Sequence, residues 1–183
     1  MRFSGRGGQG IKFVGSVLVR VATAASYHAT LTVDYTPSVR GGPIFCDVIL
    51  GSDPISYPFC DKDADIFIVI DQKGFKRASE CVHEKTISFI DEHTINNVDE
   101  IIQKGKVHRV PITRRADENK TPQSANIVCL GLLSQYLKES RKFDLKDDYY
   151  DQVLNNMPKR FKAVNIQSYQ LGQALYQEFI NKS

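Results

Sequence analysis

Residues 1–22 read MRFSGRGGQGIKFVGSVLVRVA, and five glycines fall within the first fifteen positions. Residues 1–4 leave room for only a short strand before the glycines. After them, Ile11, Val14, Val17, Leu18, Val21, Ala22 and Ala25 recur at three- and four-residue steps, which places one apolar stripe along a helix. So much bare backbone between a strand and a helix raises the question of what the turn is built to approach.

Outward from this turn, the pattern alternates. Residues 29–35 are rich in β-branched side chains and end at Thr36-Pro37, and residues 44–50 form a further strand between RGGP and GSDP turn signals. IFIVI, residues 66–70, is a continuous apolar run and predicts a central strand covered on both faces. A helix is expected over 74–82, strands over 86–90 and 107–112, and a loop over RRADENKTP, residues 114–122. Thr121 is a candidate N-cap with Pro122 at the first-turn position, opening a helix that carries ANIVCLGLLSQYL; two more helices follow, over 145–155 and 159–181. Residues 1–183 are therefore expected to form one α/β domain. It should be a three-layer, Rossmann-like sandwich with a mainly parallel sheet, helices on both faces and a helical C-terminal part.

The chain has 183 residues, 42% apolar and 25% charged, with a formal net charge of +3. That composition belongs to a soluble globular domain. Its densest basic cluster is Arg114-Arg115, so a dedicated nucleic-acid binder is not expected. No apolar run reaches the length of about eighteen residues that a membrane span needs, and no export signal opens the chain, so a cytoplasmic protein is expected. Cys46, Cys60, Cys81 and Cys129 are separated by 14, 21 and 48 residues, which leaves no C-x-x-C pair, and the four histidines form no metal-binding pattern. The cysteines read as buried, reduced thiols, and no metal is expected on this chain.

Gly5, Arg6, Gly7, Gly8, Gln9 and Gly10 fit G-x-G-x-x-G. Such a turn lets a ligand approach the backbone, and the following helix presents free N–H groups and roughly half a positive charge to a phosphate or carboxylate. Three readings stand: a dinucleotide site, with Asp34 placed 24 residues after Gly10 as the ribose-binding acid; an anion site of another kind; and a tight turn that holds no ligand. A second loop, Tyr35 to Pro43, follows the second strand and should lie at the same carboxyl edge of the sheet. It offers Arg40 as a planar fork of donors, beside Gly41 and Gly42.

Together these motifs resemble the gamma subunit of 2-oxoacid:ferredoxin (acceptor) oxidoreductases. GRGGQG at 5–10 matches G-x-G-G-Q-G, and YTPSVRGG at 35–42 matches Y-x-P-x-x-R-G-G. SDPISYP at 52–58, ANIVCLG at 125–131 and NIQSYQLG at 165–172 follow in the family's order, with departures at Thr36 and Ser168. The resemblance implies a subunit of a complex that oxidatively decarboxylates a 2-oxoacid and passes the acyl group to coenzyme A and electrons to ferredoxin. SDPISYP favours the 2-oxoglutarate branch over pyruvate. Thiamine diphosphate and iron–sulfur clusters would reside in alpha, beta (thiamine-binding) and delta (ferredoxin-like) partners, and the isolated chain, with no catalytic residue of its own, would be inactive. It would then expose an apolar patch and could pair with a second copy through it.

By the same resemblance, this chain helps close the active site and receive coenzyme A as a substrate. The site residues carried over are Gly5, Gly7, Gly8, Gln9 and Gly10 of the first loop, with Arg6 among them, and Tyr35, Pro37, Arg40, Gly41 and Gly42 of the second. Gln9 would donate a neutral hydrogen bond to the ligand, and Arg40 would touch the coenzyme or lock the loop on a catalytic subunit. Two other functions stay open: a free-standing NAD(P) oxidoreductase that uses Asp34, and a ligand-free scaffold.

Overall fold

The computed structural model describes residues 1–35, 41–60 and 63–179. The six strands are β1 (Arg2–Arg6), β2 (His28–Tyr35), β3 (Pro43–Gly51), β4 (Ile66–Val69), β5 (Ile87–Asp91) and β6 (Lys106–Val110). The helices are α1 (Ile11–Ala24), α2 (Gln72–Ala78), α3 (Asp99–Ile102), α4 (Ile112–Glu118), α5 (Ala125–Ser140), α6 (Asp147–Asn155) and α7 (Lys159–Phe179). One sheet runs in the order β2-β3-β1-β4-β5-β6. From β1 onward its pairings are parallel, whereas β3 is antiparallel to both neighbours. Two antiparallel steps restore direction, so β2 points the same way as β1 and both end at one edge of the sheet.

The IFIVI run shows why the sheet is covered twice. Ile66, Ile68 and Ile70 join the core under α1, α5 and α7, while Phe67 and Val69 join a smaller core with Phe75, Cys81, Ile95 and Ile101 under α2 and α3. A period of two sends alternate side chains to opposite layers. On α1 the buried stripe is Ile11, Val14, Val17, Leu18, Val21 and Ala22, and each large apolar side chain removed from water there contributes about 1.5–3 kcal/mol. Gly15 completes that face, because a Cβ there would stand 2.7 Å from Leu31 and 2.8 Å from Cys46. On the opposite face, Arg2 lies buried at the start of β1. It meets Asp47 of β3 with Nε to Oδ1 at 2.8 Å and Nη2 to Oδ2 at 2.9 Å, and it also donates to the carbonyls of Cys60 and Ala78.

Several expected elements differ. The helix after β4 begins at Gln72, earlier than the expected 74, and gives way to a 3₁₀ turn, Ser79–Cys81. The expected loop 114–122 is largely helix: α4 turns only Ile112 and Ala116 to the core, so its sequence is almost wholly polar, and Arg114 pairs with Glu118 one turn on. Thr121 occupies the N-cap position of a 3₁₀ turn, Pro122–Ser124, that precedes α5, but its hydroxyl donates to the Ala116 carbonyl at 3.3 Å instead of accepting from the turn. Gly131 of α5 and Gly172 of α7 face each other closely: a Cβ on Gly131 would overlap the Tyr169 carbonyl, and one on Gly172 would overlap that of Val128.

Candidate functional site

At the carboxyl end of β1 the chain passes from Arg6 through Gly7, Gly8, Gln9 and Gly10 into α1. The Gln9 amide donates to the Arg6 carbonyl at 3.1 Å and closes the turn. The Gln9 side chain then folds back, and its Oε1 accepts from the Arg6 amide at 2.8 Å. A Cβ on Gly5 would stand 2.6 Å from that oxygen, so a side chain there would push the Gln9 carboxamide out of place. Gln9 Nε2 donates to Asp71 Oδ2 at 3.4 Å. Both ends of the carboxamide thus have partners within the protein, and one of the two Nε2 hydrogens is left over.

Gly10 sits in the left-handed region at φ 72° and is the last residue before α1. Asn126, at the start of α5, donates Nδ2 to the Gly10 carbonyl at 3.1 Å, and a Cβ on Gly10 would collide with that carboxamide. The ANIVCLG motif thus reaches the glycine turn across the fold. Among the described residues no side chain caps α1, and its first turn carries no acid. Among the described residues, then, neither a capping side chain nor a first-turn acid offsets its positive end.

The two glycine loops meet. The Gly7 amide donates to the Gly42 carbonyl at 2.8 Å, and β1 and β3 remain paired to Arg6 and Pro43. Gly8 (φ 97°) and Gly41 (φ 73°) both take left-handed backbone, and among the described residues nothing lies within 4 Å of where a Cβ would stand on either. The expectation of one shared edge holds, although a reversed strand, β3, produces it. Tyr35 ends β2 and is 60% exposed. Arg40, with Thr36 and Pro37 of the same motif, lies outside the described residues.

Clefts open on both sides of the first loop. One of about 500 Å³ lies between Arg6, Gly7, Gly8 and Gln9 and the segment bearing Thr113, Pro122, Gln123 and Ala125. Buried Asp91 fixes its far wall, accepting from the Thr113 amide at 2.8 Å and the Thr113 hydroxyl at 2.7 Å. The other, about 480 Å³, is lined by Arg6, Gly8, Ile11, Lys12, Phe13 and Ile44 among others and is more apolar. The first cleft lies where chain connections diverge to either side of the sheet, since β1 leads through α1 to β2 on one flank and β4 leads to β5 on the other.

Asp34, the acid of the dinucleotide reading, stands apart from the glycine turn. Reversed strand β3 lies between β2 and β1, and Asp34 pairs with Arg77 of α2 at 2.6 Å. Each cysteine is free and buried, and burial pushes the Cys46 and Cys81 thiols up to about 12, so they stay protonated near neutral pH. Among the described residues no group of three or more His, Cys, Asp or Glu is placed to hold a metal ion, and no helix is long and apolar enough to cross a membrane. Tyr169 and Tyr176 of α7 are buried in the core, and Tyr150 of α6 stacks on Tyr169. On the α2 side of the sheet, Tyr35, Phe45 and Phe59 line a shallow groove with Arg2 and Asp47.

Sequence reasoning passed over Asp71 and Thr113. Asp71 had a local signal, as an Asp directly after the central apolar strand and before a helix; it accepts from the Lys73 amide at 2.9 Å as the cap of α2.

Residues 1–175 match the family described as pyruvate ferredoxin/flavodoxin oxidoreductase. The 2-oxoglutarate synthase subunit KorC of Methanocaldococcus jannaschii is 28% identical over 180 residues, covering 97% of this chain and 94% of that one. In fold, the chain resembles 2-oxoglutarate:ferredoxin oxidoreductase from Magnetococcus marinus, solved with 2-oxoglutarate, coenzyme A and succinyl-CoA bound. The TM-score is 0.83 at 21% identity over 97% of this chain, which spans 31% of the Magnetococcus chain. The gamma subunit of keto/oxoacid ferredoxin oxidoreductase from Geobacter sulfurreducens gives a TM-score of 0.79 at 21% identity, with 97% of this chain and 95% of that one covered.

Proposed function

Because the chain belongs to the pyruvate ferredoxin/flavodoxin oxidoreductase family, we propose that it is the gamma subunit of a multi-subunit 2-oxoacid:ferredoxin oxidoreductase acting on 2-oxoglutarate. The choice of 2-oxoglutarate follows the name of the KorC relative and the SDPISYP motif. The chain works as one domain within a cytoplasmic complex of alpha, beta and delta subunits. Thiamine diphosphate and the iron–sulfur clusters belong to those partners.

The role of this chain is to receive coenzyme A and help close the active site. One observation carries this role: the Gly7–Gly42 hydrogen bond joins both glycine loops into one edge, with open backbone at Gly8 and Gly41 beside the uncapped start of α1. Phosphate oxygens suit such an edge, where N–H groups and the helix dipole favour negative charge. Arg6 adds a full charge between the two clefts. Tyr35, Gly41 and Gly42 complete the edge from the second loop, and the YTPSVRGG motif adds Arg40 as a candidate contact for the coenzyme. The exposed aromatic groove around Tyr35 and Phe59 is assigned to contact with the catalytic subunits.

A second reading, in which the edge contacts only another subunit, is favoured by the way Gln9 and Asp71 satisfy the first loop from within. Co-expression with the partner subunits tests the first reading. The expected result is a copurifying complex that reduces a ferredoxin-type acceptor only when both 2-oxoglutarate and coenzyme A are supplied. Catalysis of that reaction by the purified single chain would contradict it.

A further inference from the structure

We infer that Asp71 is a positioning residue for the coenzyme, fixing Arg6 and Gln9 of the glycine loop from the neighbouring strand; this inference rests on the coenzyme A reading above. Asp71 stands immediately beyond β4 and the cleft edge, where the Ile70 amide donates to the Ser4 carbonyl at 3.1 Å. Its Oδ2 meets Arg6 Nε at 3.2 Å and Gln9 Nε2 at 3.4 Å, while Oδ1 accepts from Lys73 of α2 at 2.9 Å.

The two sides of this contact differ in freedom. Asp71 is held: its side chain is 15% exposed, and Gly74, one turn into α2, presses on β1 so closely that a Cβ would stand 2.5 Å from the Gly5 carbonyl oxygen and 2.7 Å from its nitrogen. Arg6 is loose by comparison, with a side chain that is 54% exposed. A long exposed arginine otherwise samples many rotamers, and ordering it on binding opposes affinity. Engaging Nε with a fixed carboxylate removes much of that freedom and leaves the Nη edge of the fork for an incoming phosphate. The same carboxylate holds the Gln9 carboxamide, whose oxygen shapes the turn through the Arg6 amide. Asp91, the acid behind the facing wall of the cleft, is committed elsewhere, to Thr94 and Thr113.

Asp71→Asn separates positioning from helix capping, because asparagine also caps helices well but carries no charge, and with its Oδ1 on the Lys73 amide it turns a donor, Nδ2, toward Arg6 Nε and Gln9 Nε2. In the assembled complex, Arg6→Ala is expected to raise the KM for coenzyme A about tenfold and Asp71→Asn about fivefold. The KM for 2-oxoglutarate, kcat and the melting temperature should stay near wild type. The double variant should fall well short of the product of the two single effects, since Asp71 acts largely through the Arg6 side chain. If Arg6→Ala raises the KM but Asp71→Asn leaves it unchanged or lowers it, or the two effects multiply, the positioning role is overturned and the coenzyme reading stands. If neither variant changes the KM, the coenzyme reading falls and the inference with it.

Discussion

The two ends of β1 carry the same pair of residue types in opposite circumstances. At the start, Arg2 and Asp47 are buried, each side chain 6% exposed, and Arg2 also bonds two carbonyls and lies 4.1 Å over the Phe45 ring. At the end, Arg6 meets Asp71 in reach of water, beside backbone that nothing in the described chain covers. Glycines divide in the same way. Gly131 and Gly172 are sealed by the facing helix, whereas Gly8 and Gly41 face open space. In the interior the bare backbone is filled by the protein itself; at the carboxyl edge no described residue covers it.

Breaking the sealed side should cost most. Gly172→Val drives a branched side chain into the Val128 carbonyl and to within 2.7 Å of the Leu132 nitrogen. Neither helix backbone can yield locally, so a loss of more than about 4 kcal/mol is expected, seen as insoluble protein or a melting temperature lower by about 10 °C or more. Asp47→Ala should rank next, at about 3–5 kcal/mol in urea unfolding, because it strands a buried guanidinium. A loss below about 1 kcal/mol would show that water reaches the Arg2 pocket and that the two ends of β1 are less different than they look.

The smallest effect concerns pH. Burial against Phe89 and the nearby Lys106 charge lower the His108 pKa below its ordinary 6.5. The unfolded chain therefore binds the proton more readily than the folded one. The stability tied to His108 is fully present above 6.5 and falls as the pH drops below it. His108→Gln should flatten the decline of melting temperature between about pH 7.5 and pH 5.5. An unchanged slope would assign that decline to other groups.

The parts of this architecture written in local pattern were legible from the sequence. The α1 stripe and the IFIVI strand declare themselves within a few residues, and both occupy the positions their periodicity predicts. The α4 segment was hidden, since a helix with only Ile112 and Ala116 turned inward has no stripe to read. Strand order was hidden for another reason: nothing local says that β3 inserts in reverse between β2 and β1, and that insertion is what removes Asp34 from the glycine turn. At the site itself, glycine spacing marked the turn, but the side chains that set its shape come from far along the chain. Gln9 meets Asp71 across 62 positions, and Gly10 meets Asn126 across 116. The motifs brought Asn126 to attention without showing what it touches.

We propose that the open backbone of this edge receives coenzyme A. Coenzyme A affinity of the assembled complex carrying Gly8→Val, set against wild type by equilibrium dialysis, tests it most directly. A β-branched residue cannot hold φ 97° without strain and would fill the open space. The expected result is a complex of unchanged subunit composition that binds coenzyme A at least about tenfold more weakly. Unchanged affinity in an intact complex would contradict the account and leave the edge as a contact between subunits.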